Sequence, residues 1–229
     1  MSNESALETL YPFLHGKAQD PRQLEAALLH SVAEKAADTR DTNARFFAEQ
    51  AETLVAAAWA LAGVYRSGGR LFAMGNGGSS CDAAHIAVEF THPVTAGRPA
   101  LAAINLTADV AMVTAVGNDV GLEHVFTRQV IAHARRGDAL IGVSTSGNSC
   151  NLIAAFAKAK EMGLVTIGLA GGDGGEMQWA GTVDYCLVVP SNSIHRVQEC
   201  HIAAYHILWD LVHTLLEDDR GAAASGATR

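Results

Sequence analysis

The chain of 229 residues has no apolar run of the roughly 18–20 residues that a bilayer requires, so no membrane span is expected. Its first segment, "MSNESALETLYPFLHGK", lacks the basic start and apolar core of a secretory leader, and a cytoplasmic protein is expected. Positive charge is the scarcer sign, with 16 Lys and Arg against 24 Asp and Glu and a formal net charge of −8. That balance argues against general nucleic-acid binding, because phosphate backbones attract basic surfaces. A small anion is still admissible, since a local pocket can oppose the global charge. Cysteines are few, and Cys81, Cys150, Cys186 and Cys200 form no Cys-x-x-Cys pair, so free thiols in a reducing compartment are the simplest reading. Cys81 and Cys150 each follow a Gly- or Ser-rich turn, but no partner base is evident beside either. They read as small residues at helix starts rather than as nucleophiles. Repeats of the solenoid kind are absent.

Apolar residues make up 49% of the chain, enough for the core of one large α/β domain. Residues 1–21 read as an arm. Residues 22–66 read as mostly helix, Ala-rich with apolar spacings of three and four, broken near "DTRDTN" at 38–43 and closed at Gly68 and Gly69. A strand-then-helix alternation follows. Strands are expected at 70–75, 99–106, 138–145, 164–171 and 183–190. The segments between them read as helices, including a short one closing at Gly117 and an amphipathic one over 121–137 with a basic last turn. A long helix is expected over 193–217 and a disordered tail over 220–229. Continuous apolar strands alternating with helices indicate a parallel sheet covered on both faces, an α/β three-layer sandwich in one domain over 22–219. Such sheets bind ligands at the C-terminal ends of their strands.

Two turns lie at such ends. "STSGNS", Ser144 to Ser149, follows a strand and opens a helix. It carries the hydroxyls of Ser144, Thr145, Ser146 and Ser149, a glycine for close backbone approach, and the free N–H groups of a helix start. An ordinary N-cap needs only one Ser or Thr. Four hydroxyls in six residues exceed that need and point to a phosphate. Neither a P-loop Gly-Lys-Ser/Thr nor a Gly-x-Gly-x-x-Gly fingerprint is present here. The second turn, "GNGGSS", offers Asn76 and Ser79 to sugar hydroxyls or phosphate, with glycines that keep side chains out of the way.

The helix after that second turn carries His85 and Glu89 at i and i+4, about 6 Å apart at Cβ on one face. Alone, such a pair is ordinarily a surface ion pair. The 193–217 helix adds Gln198 and His206 within one stripe, and His, Glu, Gln and His together suit a borderline divalent ion such as zinc. His201 falls on another face and reads as a packing residue.

"GNGGSSCDAAHIAVE", "AVGNDVG", "STSGNS", "GLAGGDGGEM" and "HRVQECHIAAYHILWDLV" occur in this order over roughly residues 45–215. With them the chain resembles the phosphoheptose isomerases (D-sedoheptulose 7-phosphate isomerases) of the sugar isomerase, or SIS, domain proteins. The resemblance implies a SIS fold and an aldose–ketose isomerase that makes D-glycero-D-manno-heptose 7-phosphate from sedoheptulose 7-phosphate through an enediol. His85, Glu89, Gln198 and His206 match the family's zinc ligands, implying one Zn2+ per subunit. Glu89 and His206 match its acid/base pair. Asn76, Gly77, Gly78 with Ser79, the Asn118–Asp119 pair and Gln198 match its substrate contacts, and Ser144, Thr145, Ser146 and Ser149 its phosphate turn. The resemblance also implies a homotetramer with active sites between subunits, the N-terminal helices and the 193–217 helix supplying the interface.

Two departures stand out. Many relatives carry a Thr-Gly-Arg-like run after the metal-binding Glu, where this chain reads "FTHPVTAGRPAL". His92 and Pro93 replace the Gly-Arg, and Arg98 is the nearest substitute. His195 stands where relatives often carry a small or acidic residue, either facing the pocket or marking the helix entry. The competing reading is a non-catalytic SIS protein, a sugar-phosphate sensor or a tetrameric scaffold. Neither of those needs the set His85, Glu89, Gln198 and His206.

Overall fold

The computed structural model describes residues 21–226, with side chains through Glu217. The arm expected over 1–21 therefore lies outside the described residues except for Pro21, as do the last three residues of the expected tail. The chain divides into two compact units, one ending at Arg40 and the other starting at Asp41. In the first, residues 21–40 are helical and almost entirely exposed, Leu24, Leu28, Leu29 and Val32 included. They are the first turns of α1 (Pro21–Arg66), which is uninterrupted at 38–43 where a break was expected. That run holds no Gly or Pro, and each of its residues costs a helix only a few tenths of a kcal/mol.

In the second unit five parallel strands form one sheet in the order β2-β1-β3-β4-β5. They are β1 (Leu71–Gly75), β2 (Ala103–Asn105), β3 (Ala139–Ser144), β4 (Val165–Gly171) and β5 (Tyr185–Val189). The helices after α1 are α2 (Gly78–Thr91), α3 (Val110–Asp119), α4 (Val125–His133), α5 (Cys150–Met162), α6 (Gly175–Trp179) and α7 (Ile194–Gly226). Strand side chains alternate between faces. Leu71, Ala73 and Ile141 go to a core with Phe46, Leu54 and Leu61 of α1, Ile86 and Phe90 of α2, and Val197 and Leu208 of α7. Phe72, Met74 and Leu140 go to a second core with Phe126 and Val130 of α4 and Leu152 and Phe156 of α5. The expected three layers follow directly.

Several elements differ from expectation, each for a local reason. The strand expected over 99–106 shrinks to three residues. Pro99 has no N–H to give, and the Leu101 N–H turns to the Phe90 carbonyl at 2.8 Å instead of to the sheet. The short helix does not close at Gly117 but runs on to Asp119. The helix expected over 121–137 begins as a 3-10 turn, Leu122–His124, after Gly121 at φ 106. It ends at His133, so Arg135 and Arg136 are not its last turn. The Arg135 N–H caps the Asp138 carboxylate at 2.8 Å. α6 was not foreseen in the Gly-rich stretch after β4. α7 passes residue 217 and continues to Gly226, so the tail expected from residue 220 is helical over its first part.

Candidate active site

The chain crosses from β1 to β2 on one side and to β3 on the other, so β1 and β3 flank the point where strand order reverses. Ligands bind at such a point in parallel sheets. Register pairs Gly75 with Val143, which sets the two turns side by side as expected. A Cβ on Gly75 would stand 2.2 Å from the Ser79 carbonyl oxygen, so only glycine lets the turn close onto α2. Asn76 and Asn151 join the turns by a reciprocal amide pair, Nδ2 to Oδ1 at 2.9 Å one way and 3.0 Å the other. Asn151 was missed from sequence. Its only signal was an Asn just inside a helix start, where an amide favours local bonding over helix.

In the other turn the Ser144 and Ser149 hydroxyls are 2.9 Å apart. Ser149 occupies the N-cap position of α5, yet its side chain caps no backbone N–H. The helix start is thus not closed by its own serine, although the Leu152 N–H reaches Asn151 Oδ1 at 3.0 Å. Gly147 sits at φ 65, and a Cβ there would meet the Gly174 carbonyl oxygen at 2.0 Å. The Asn148 amide donates to the Ser146 carbonyl at 2.9 Å and accepts from the Glu176 N–H at 2.9 Å. The segment before and into α6 therefore buttresses the turn.

This turn separates two cavities. One of about 570 Å³ is lined by Asn76, Gly77, Ser80, Ser149, Cys150 and Asn151 and by the apolar Val113, Leu122, Val125 and Phe126. The second, about 470 Å³, is lined by Thr145, Ser146, Gly172, Asp173, Ser191 and Asn192. Ser79 is buried, and Ser80 rather than Ser79 faces the first cavity. Asn118 and Asp119 are exposed at the end of α3, bonded to each other at 2.8 Å, and line neither cavity.

His85, Glu89 and His206 converge, with one ligand atom from each within 4.8 Å of the others. His85 Nε2 lies 3.2 Å from Glu89 Oε1, and the His85 and His206 ring centroids are 5.0 Å apart at 83°. The spacing argument from α2 and α7 thus brings three of the four residues together. Gln198 lies at the start of the same helix pair, its Nε2 2.5 Å from where a Cβ on Gly78 would stand. Gly78 makes room for that amide. Two imidazoles and a carboxylate with converging atoms fit a borderline divalent ion.

Burial and then the neighbouring His85 push the His206 pKa down, against the pull of Glu89. Burial raises that of Asp82, whose Oδ2 is buried with no hydrogen-bond partner, while His85 opposes the rise. Burial, with Asp82 and Glu89, holds the Tyr205 phenol well above its ordinary range, so it stays protonated. His201 is a packing residue, as expected. It is fully buried and donates from Nε2 to the Ala170 carbonyl at 3.0 Å, and burial pushes its pKa down to about 4. Arg98 is not a free substitute for the missing arginine. It pairs with Asp210 at 2.6 Å and stacks over the Trp209 ring at 4.5 Å. His195 is exposed at the entry of α7.

A SIS domain model matches residues 36–171. The chain is 44% identical to the phosphoheptose isomerase of Solidesulfovibrio magneticus over 191 residues, 83% of this chain and 91% of that one. It is 48% identical to that of Aneurinibacillus thermoaerophilus over 149 residues, 65% of this chain and 74% of that one. The solved phosphoheptose isomerase of Neisseria gonorrhoeae superposes with a TM-score of 0.76 at 38% identity, covering 82% of this chain and 99% of its own. That of Francisella tularensis gives 0.72 at 32% identity, with 80% and 98% covered. With its sheet order, its two turns and its His–Glu–His cluster, the chain belongs to the phosphoheptose isomerase family of SIS-domain sugar-phosphate isomerases.

Proposed function

We propose that this protein converts sedoheptulose 7-phosphate to D-glycero-D-manno-heptose 7-phosphate through an enediol. The observation that carries the reading is the His85–Glu89–His206 cluster, within 4.8 Å. A sensor or scaffold has no use for such a donor set. His85, Glu89, His206 and Gln198 would hold a divalent ion, Zn2+ by the chemistry of the donors. When bound, the ion supplies Lewis-acid polarisation of the substrate carbonyl.

Glu89 takes a proton from C1 of the ketose, exchanges it with solvent at the enediol stage and delivers a proton to C2, using the carboxylate oxygen that does not face His85. His206, held neutral, passes a proton from O1 to O2. Ser144, Thr145, Ser146 and Ser149 with the start of α5 hold the distant phosphate, and Asn76, Gly77, Gly78 and Gln198 take part in orienting the chain of hydroxyls. Phosphate binding thereby positions the reacting end. The protein acts in the cytoplasm as a homotetramer with active sites between subunits. Exposed Val88 and Ile207, next in sequence to Glu89 and His206, and exposed Val55 and Trp59 on α1 support that assembly. Light scattering that returned a monomer at working concentration would contradict it.

Proton NMR of the zinc-supplemented protein with sedoheptulose 7-phosphate tests the activity. An aldoheptose anomeric signal is expected, abolished by chelator and restored by zinc. A folded, metal-loaded protein that yields no aldose contradicts the substrate, and turnover indifferent to chelator contradicts the metal.

A further inference from the structure

We infer that Tyr205 is a positioning residue that fixes which nitrogen of His85 faces the cluster; the inference rests on the metal reading above. Tyr205 is buried, and its hydroxyl lies 2.8 Å from His85 Nδ1. The same ring turns Nε2 toward Glu89 Oε1 at 3.2 Å, so the two nitrogens have different partners. Tyr205 also packs edge-on against both imidazoles, with centroids 5.3 Å from His85 and 4.9 Å from His206. One turn further along α7, Trp209 Nε1–H donates to the Glu89 carbonyl at 2.9 Å. Two aromatic residues at i and i+4 on α7 therefore grip the His and the Glu at i and i+4 on α2.

A histidine that ligates through one nitrogen needs a partner for the other, which sets tautomer and ring orientation. A hydroxyl suits both states of the site because it donates and accepts. Without a cation, Tyr205 O–H donates to Nδ1 and Nε2–H donates to Glu89. With a cation, the proton sits on Nδ1 and donates to the Tyr205 oxygen, and the Nε2 lone pair faces the ion. Phenylalanine would fill the same space and serve neither state. Nothing in the motif spacing assigns this role, since Tyr205 adjoins His206 in sequence but acts on His85, 120 positions away.

The test compares full-length wild type with Tyr205→Phe. Zinc affinity is read by competition with a chromophoric chelator, and the His85 ring nitrogens of the zinc-loaded wild type are read by 15N-correlated NMR. Removal of such a supporting partner is expected to weaken zinc roughly 10- to 100-fold, with circular dichroism unchanged. In the wild type, Nδ1 is expected protonated and Nε2 metal-bound. Unchanged affinity in a folded Tyr205→Phe, or a metal-bound Nδ1, overturns the inference while leaving the metal reading intact. Failure of the wild type to bind zinc at all overturns both. Should Tyr205→Phe not fold, the wild-type nitrogen assignment decides.

Discussion

Side chains of the same type take opposite roles in this fold, and their surroundings decide which. His85 and His206 converge with Glu89 at a half-open cluster, whereas His201, on the same helix as His206, is sealed against Ala170. Its pKa, down from 6.5 to about 4, has a direct consequence for stability. The folded state keeps this group neutral, so the unfolded chain binds the extra proton. Stability from His201 is present above pH 6.5 and is lost as pH falls toward 4, by roughly 3 kcal/mol at about 1.4 kcal/mol per pH unit. Urea midpoints should fall across that window in the wild type and fall less steeply in His201→Gln. Equal slopes would mean another group governs acid unfolding. Arg98 carries a related lesson. Sequence proximity makes it the substitute for an absent arginine, yet its partner Asp210 lies 112 residues away. No local pattern announces a pairing of that span.

Among the elements, the strands and helices around the sheet were legible because apolar runs alternate with amphipathic stretches, and all five strands fall where the runs do. Boundaries were less so. Glycines mark turns, but whether one ends a helix depends on what packs against it. Gly117 continues α3, while Gly163 in the left-handed region closes α5. The hydroxyl-rich turn at 144–149 was legible in sequence as a strand end opening a helix. Its support by the segment running into α6 was not, because that contact joins two loops distant in sequence. Gly147→Ala tests the support. The new Cβ must fit at φ 65, and 2.0 Å from a carbonyl oxygen it cannot. The expected result is a loss of at least about 1 kcal/mol in thermal unfolding and a rise in KM for the sugar phosphate larger than the fall in kcat. A change in kcat alone would place the turn in the chemistry rather than in binding.

For the molecule as a whole, the site exists only because α2 and α7, more than a hundred residues apart in the chain, meet on one face of the sheet. The i, i+4 spacing of His85 and Glu89 and the stripe of Gln198 and His206 made that meeting legible. Its contacts from Tyr205 and Trp209 were not, and neither was the Asn151–Asn76 pair between the turns, since each reaches across the fold to a residue it does not adjoin. In the proposed reaction this cluster moves a proton between adjacent sugar carbons. The most direct measurement runs the reaction in D2O with wild type, chelated wild type and Glu89→Gln, and reads deuterium at C2 of the product by NMR. A C2-deuterated aldose from the wild type is predicted, with turnover absent under chelation and lowered roughly 10²- to 10⁴-fold in Glu89→Gln. A product formed at wild-type rate by Glu89→Gln, or by the chelated protein, would rule out Glu89 or the metal as a participant in the proton transfer.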